Sequence, residues 1–245
     1  MHHHLKWILI SFFAFSSITF AQSNIPANDK AVKPALHFRA FKTLGVWSYI
    51  GELAWQPTSH GNFEKLKFDI RRKLPNHFSA GVYLANTWGE HHGQDWLKDP
   101  ADNVWKWRDV ESKTEFNVGA LIQKKWSLSP DITLEGRVTY EYHLTNDMGI
   151  LKVRPGISYQ LSPTWLSYFR YEAYFPIGFS TATLYKQGYY LGAMYNGIQN
   201  WLIGPFVHHL RHEWNNTAKF KTTTGTSYRM HEDLLSIGMG FNVYF

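Results

Sequence analysis

Between residues 132 and 144 the chain sorts its side chains by parity. Ile132, Leu134, Gly136, Val138, Tyr140, Tyr142 and Leu144 fall on one face, and Thr133, Glu135, Arg137, Thr139, Glu141 and His143 on the other. A helix would smear both sets around its circumference, whereas an extended strand separates them. The dyad recurs: Leu66, Phe68 and Ile70 oppose Lys65, Lys67, Asp69 and Arg71, and Phe116, Val118, Ala120 and Ile122 oppose Lys113, Glu115, Asn117 and Gln123. Leu151, Val153, Ile157 and Tyr159 likewise oppose Lys152, Arg154, Ser158 and Gln160, and Trp165, Phe169, Tyr171 and Phe175 oppose Tyr168, Arg170, Glu172 and Tyr174. The periodicity predicts ten strands, at 44–56, 62–73, 78–88, 110–126, 132–144, 150–161, 165–175, 187–196, 201–214 and 228–245. The ninth is the least regular, because Pro205 interrupts it and a proline demotes a strand or marks a bulge.

The connections alternate in length. Tight turns rich in Pro, Gly and Asn fall at 74–77, 127–131, 162–164 and 196–200, and longer segments at 89–109, 176–186 and 215–227. Short turns at one end and long loops at the other are the arrangement of bacterial membrane barrels, although 57–61 and 145–149 are short for the long-loop side. An even strand count places both termini on the short-turn side. Closure then pairs 228–245 with 44–56, since backbone groups facing lipid have no water to satisfy them.

The first 21 residues read differently. Lys6 precedes an apolar run from Trp7 to Phe15, and Thr19-Phe20-Ala21 places small residues before a cleavage point, so 1–21 is expected to be a secretory signal peptide. Residues 22–42 lack a clear period and contain two prolines, and are expected to be a linker or a segment tucked into a lumen. The expected barrel domain is 43–245. The rest of the chain holds no apolar run of ~18 residues, which excludes helical membrane spans.

Composition narrows the chemistry. The 245 residues are 44% hydrophobic, too many for a disordered chain, and include no cysteine, which excludes disulfide scaffolds, thiolate metal sites and cysteine nucleophiles. The formal charge of +6 is dispersed rather than gathered on a stripe, which argues against a nucleic-acid partner.

Period 2 alone leaves open which face is wet. A soluble sandwich or a lipocalin-like barrel buries its apolar face, and a membrane barrel reverses the pattern. Two features favour reversal: large charged side chains on the polar faces, and aromatic residues such as Trp47, Trp55, Trp88, Trp126, Trp165, Tyr195 and Trp201 near strand ends, where headgroup girdles form. The C-terminus adds a third, because Leu235, Ile237, Met239, Phe241 and Val243 share the face of the terminal Phe245. That ending resembles the β-signal recognised by the bacterial barrel-assembly machinery. The expected fold is therefore an all-β, closed antiparallel transmembrane β-barrel of about ten strands (eight to twelve), in a Gram-negative-type outer membrane with outer-membrane lipids around it.

The segments Leu128-Ser129-Pro130-Asp131-Ile132-Thr133-Leu134-Glu135-Gly136-Arg137 and Arg154-Pro155-Gly156-Ile157-Ser158-Tyr159-Gln160-Leu161-Ser162-Pro163-Thr164-Trp165 carry a family resemblance. With them the chain resembles uncharacterised bacterial outer-membrane β-barrels of the domain-of-unknown-function type, over roughly residues 45–245. In size it is similar to the acidic-sugar porins, the oligogalacturonate and sialic acid channels. No motif match transfers a binding residue from either group.

The candidate lumen lining is Lys65, Lys67, Asp69, Arg71, Glu115, Glu135, Arg137, Glu141, Lys152, Arg154, Arg170 and Glu172. Trp96, Trp105 and Trp107 in the long segment 89–109 are candidate loop contacts for a ligand, or the means by which that loop orders itself. Metal binding is not expected, because His208 and His212 on a strand stand about 13 Å apart, four rises of ~3.3 Å. Ser167 shares the apolar parity, and neither neighbouring strand offers it a histidine base. No catalytic residue and no cofactor is assigned. The functions that remain are a narrow passive channel or porin for small polar solutes, a non-conducting structural or surface-interaction barrel, and a barrel-embedded lipid-modifying enzyme or protease.

Overall fold

The computed structural model describes residues 32–57, 62–89, 94–98, 105–109, 114–145, 147–177, 186–215 and 229–245. The signal peptide expected over 1–21 lies outside the described residues. Among those described, every regular element is a strand. In chain order they are β1 (Val32–Leu44), β2 (Trp47–Pro57), β3 (Asn62–Lys73), β4 (Phe78–Gly89), β5 (Gln94–Lys98), β6 (Trp105–Asp109) and β7 (Glu115–Ser127). They continue with β8 (Ile132–His143), β9 (Met148–Ser162), β10 (Trp165–Ile177), β11 (Lys186–Ile198), β12 (Trp201–Asn215) and β13 (Arg229–Tyr244).

Eleven of these strands close into one barrel, in the order β1-β13-β12-β11-β10-β9-β8-β7-β4-β3-β2. The tight connections 45–46, 74–77, 128–131, 163–164 and 199–200 all lie at one end, with Phe245. Asn76, His77 and Asn200 take positive φ there, a conformation that Asn tolerates through local side-chain bonding. The longer connections lie at the other end. The one between β4 and β7 contains a separate two-stranded hairpin, β5 with β6, inside what the sequence suggested was loop alone.

The closure differs from the one expected. Residues 32–42, read as part of a linker, belong to β1, which inserts between β2 and β13. It pairs antiparallel with β2 and parallel with β13, Phe38 lying between Leu53 and Phe241. Strands 44–56 and 228–245 therefore do not pair with each other, and the count is odd. Because β1 runs parallel to β13, Val32 sits at the long-connection end, opposite Phe245. β1 fits the wall because Val32, Leu36 and Phe38 point out while the polar His37 and Arg39 face the interior, an alternation that the inward Phe41 blurs.

Pro205 does not break β12. It lies exposed, where the β11–β12 ladder lacks pairs for Ala193 and Met194, so its missing N–H leaves no gap on that side.

The packing is inverted relative to a water-soluble barrel. Outward apolar side chains are open, Leu84 at 63% and Val82 at 60%, whereas inward Asp69 is only 1% exposed. At the tight-turn end the outer surface carries a ring of aromatic and basic residues. Trp165 packs against Tyr195, Arg72 lies over the Trp47 ring, and Lys124 over Phe78 and Trp126.

Candidate functional site

The barrel encloses a cavity of ≈ 510 Å³. All twelve residues read from the sequence as lumen candidates line it. Among the described residues, ten Lys or Arg and six Asp or Glu face this space, an excess of four positive charges.

Pairing divides these charges into groups. Near the closure, Glu52 accepts from Arg39 at 3.0 Å and from Lys65 at 2.9 Å. On β3, Arg71 grips both carboxylate oxygens of Asp69, at 2.9 and 2.6 Å, with the Lys67 ammonium at 3.4 Å. Such a two-point guanidinium–carboxylate contact fixes geometry as well as charge. Towards the long-connection end, Glu141 holds Lys152 at 2.6 Å and His143 Nε2 at 2.8 Å, while His143 Nδ1 meets Glu115 at 2.7 Å. In the middle, Glu135 accepts from Arg170 at 2.8 Å.

Several of these contacts skip a strand, and small residues on the intervening strand make that geometry possible. Arg71 on β3 passes Gly81 on β4 and donates from Nη1 to Gln123 on β7 at 3.0 Å; a Cβ at Gly81 would lie 2.8 Å from the Arg71 Cγ. Arg170 on β10 passes Gly156 on β9 to reach Glu135 on β8, and a Cβ there would lie 3.0 Å from each side chain. Tyr83 on β4 covers Gly119 on β7, and its hydroxyl donates to Glu141 on β8. At the closure, Gln56 Nε2 donates to Ser236 Oγ at 2.6 Å across Ala35. Long polar side chains thus lie along the wall.

Several lining residues escaped the sequence reading. Arg39 lay in the presumed linker, and Glu52 is flanked on its own face by Ile50 and Ala54, which hide the polar parity of β2. Tyr83 and Tyr190 are aromatic residues facing inward, against the rule that sorts them to the outer face, and Tyr168, read on the polar face of its strand, joins them in the lining. Tyr83 and Tyr168 each lie in register opposite a glycine, Gly119 and Gly192, a relationship that appears only once the strands are paired.

The remaining candidates are placed as follows. Trp96 pairs with Trp107, and Trp105 with Lys98, in the β5–β6 hairpin; their side chains lie outside the described residues. Ser167 faces outward and donates to the Tyr159 carbonyl at 3.2 Å. His208 faces inward and stacks on Tyr190 with centroids 3.9 Å apart. The side chain of His212 lies outside the described residues. Among the described residues, no three His, Cys, Asp or Glu side chains converge as a metal cage.

No protein-family model matches this chain, and no curated protein matches it. The class is set by the fold itself: an all-β, closed eleven-stranded barrel with an apolar exterior and a charged interior.

Proposed function

We propose that the chain is a bacterial outer-membrane β-barrel, akin to the uncharacterised barrels it resembles, and that its lumen is a narrow passive passage for small polar solutes. The observation that carries this reading is the inversion of polarity: large apolar side chains exposed on the outside around a cavity lined, among the described residues, by sixteen charged Asp, Glu, Lys and Arg side chains. A hydrocarbon layer removes that outer surface from water, and a polar lumen keeps ions and water inside. The barrel strands have 11 to 16 residues, enough for a tilted span that needs about 9–11. The aromatic and basic ring at the tight-turn end matches the headgroup level, where indole rings and long cationic side chains settle. In this reading β13, with Phe245 exposed at its end, is the segment that the barrel-assembly machinery engages.

The wall-hugging contacts over Gly81, Gly119 and Gly156 favour a passage over a plug, because they hold long side chains against the sheet. Purified, folded protein in planar lipid bilayers is expected to give small, discrete conductance steps. Silent bilayers from protein shown to be folded would overturn the passage and leave a non-conducting structural or surface-interaction barrel.

A further inference from the structure

Two arginines meet inside the barrel with incomplete partners. Arg137 of β8 and Arg154 of β9 are register partners, and both line the cavity with side chains 12% exposed. Like charges directly opposite on a sheet repel, so this pair requires converging counter-charge. The neighbouring carboxylates supply it only at a distance. Glu172 Oε1 stands 3.8 Å from Arg137 Nη2, and Glu135 Oε1 stands 3.7 Å from Arg154 Nη2, both beyond hydrogen-bond length. Glu135 is meanwhile engaged by Arg170 at 2.8 Å. The Nε atoms of Arg137 and Arg154 are buried with no partner among the described residues.

The other lumen groups are held more closely, although the two cations on Glu52 and the two on Asp69 each also exceed their carboxylate by one charge. Glu52, Asp69 and Glu141 each hold a cation at 3.0 Å or closer. Arg71, the next arginine along the wall, is occupied by Asp69 and Gln123. In the middle, Arg137, Arg154 and Arg170 share Glu135 and Glu172, which leaves one positive charge over.

We propose that Arg137 and Arg154 form a subsite for one small oxyanion of the carboxylate class, an inference that rests on the aqueous lumen proposed above. One charge in excess calls for a monoanion. Guanidinium forks are complementary to a planar pair of oxygens, and a spherical halide offers no such pair. The cavity volume of ≈ 510 Å³ falls within the range of about 300–1,000 Å³ in which small ligands bind.

The test uses the full barrel folded in detergent, titrated with sodium acetate against sodium chloride at constant ionic strength and followed by calorimetry. Acetate is expected to bind saturably at one site, with chloride giving no comparable heat. Arg154→Gln should weaken acetate binding about tenfold or more, the loss expected for a charge-assisted contact. Glu172→Gln should strengthen it by removing the competing carboxylate. If Arg154→Gln fails to fold, Glu172→Gln carries the test alone. Equal responses to acetate and chloride, or acetate binding unchanged in the folded variants, would overturn the subsite. Saturable acetate binding by protein that leaves bilayers silent removes the passage and keeps the subsite. Conductance without an acetate response does the reverse.

Discussion

The Tyr83 ring lies over Gly119 on the neighbouring strand, and its hydroxyl reaches Glu141 one strand further on. Tyr83 and Glu141 are 58 residues apart in the chain, yet the contact ties β4 to β8 across β7. It depends on the absence of a side chain at Gly119, where a Cβ would run into the Tyr83 Cζ and Cε1. Gly119→Val should therefore destabilise the barrel by about 1–3 kcal/mol, as overpacking does. Adding Tyr83→Ala should recover part of that loss, because the clash is gone. Urea unfolding of the single and double variants in detergent measures the coupling. Additive losses would mean that the ring and the glycine do not meet.

Facing along β13 gives a second test. Ile237 is exposed on the outer surface, and Asn242 lines the cavity. In a bilayer, an outward arginine costs up to ~2–4 kcal/mol near the midplane and much less near the interface. Ile237→Arg should impair assembly more than Asn242→Arg. Heat-modifiable gel migration reads this, since folded and boiled barrels run differently. Equal folding of the two variants would contradict a lipid-facing Ile237.

What could be read from the sequence follows from where alternation is strong. Over 132–144 every odd residue is polar and every even one apolar or glycine, so β8 and its facing were legible from residue types alone. In β1 the same logic fails: Ala35 and Phe41 face inward, while Pro34 and Ala40 share the parity of Leu36 and Phe38, so the two faces differ little in polarity. The barrel's closure was therefore hidden with β1. Twelve of the lumen residues could be read from parity, but their partners could not. Partner choice depends on Gly81, Gly119 and Gly156 opening routes across a strand, which only the register reveals.

Charge in the middle of the lumen gives a third expectation. Glu135 is the acceptor for Arg170 and the nearest carboxylate to Arg154. Glu135→Gln removes that negative charge and leaves both guanidiniums facing the cavity with less compensation. In a bilayer under a salt gradient, the reversal potential should move toward the chloride equilibrium value relative to wild type. A shift toward cation preference would contradict the placement of Glu135 in the conducting space.

Closure through β1 is open to a chemical test, because the chain has no native cysteine to confuse the result. Ala40 and Val243 are direct register partners in the parallel β1–β13 ladder. Their side chains leave the sheet on the same face, and neighbouring strands lie about 4.7–4.9 Å apart, within reach of a disulfide. Ala40→Cys with Val243→Cys should cross-link under mild oxidation in the folded barrel. The control pair is Leu53→Cys with Phe241→Cys, which share Phe38 as their common neighbour and are separated by the whole of β1. Two strand spacings put those residues about 9–10 Å apart, beyond the ~7 Å limit, so no bond should form. Non-reducing gels after trypsin digestion distinguish the two results. A cross-link in the Leu53–Phe241 pair, with none in the Ala40–Val243 pair, would mean that β13 closes directly on β2 and that β1 lies outside the wall.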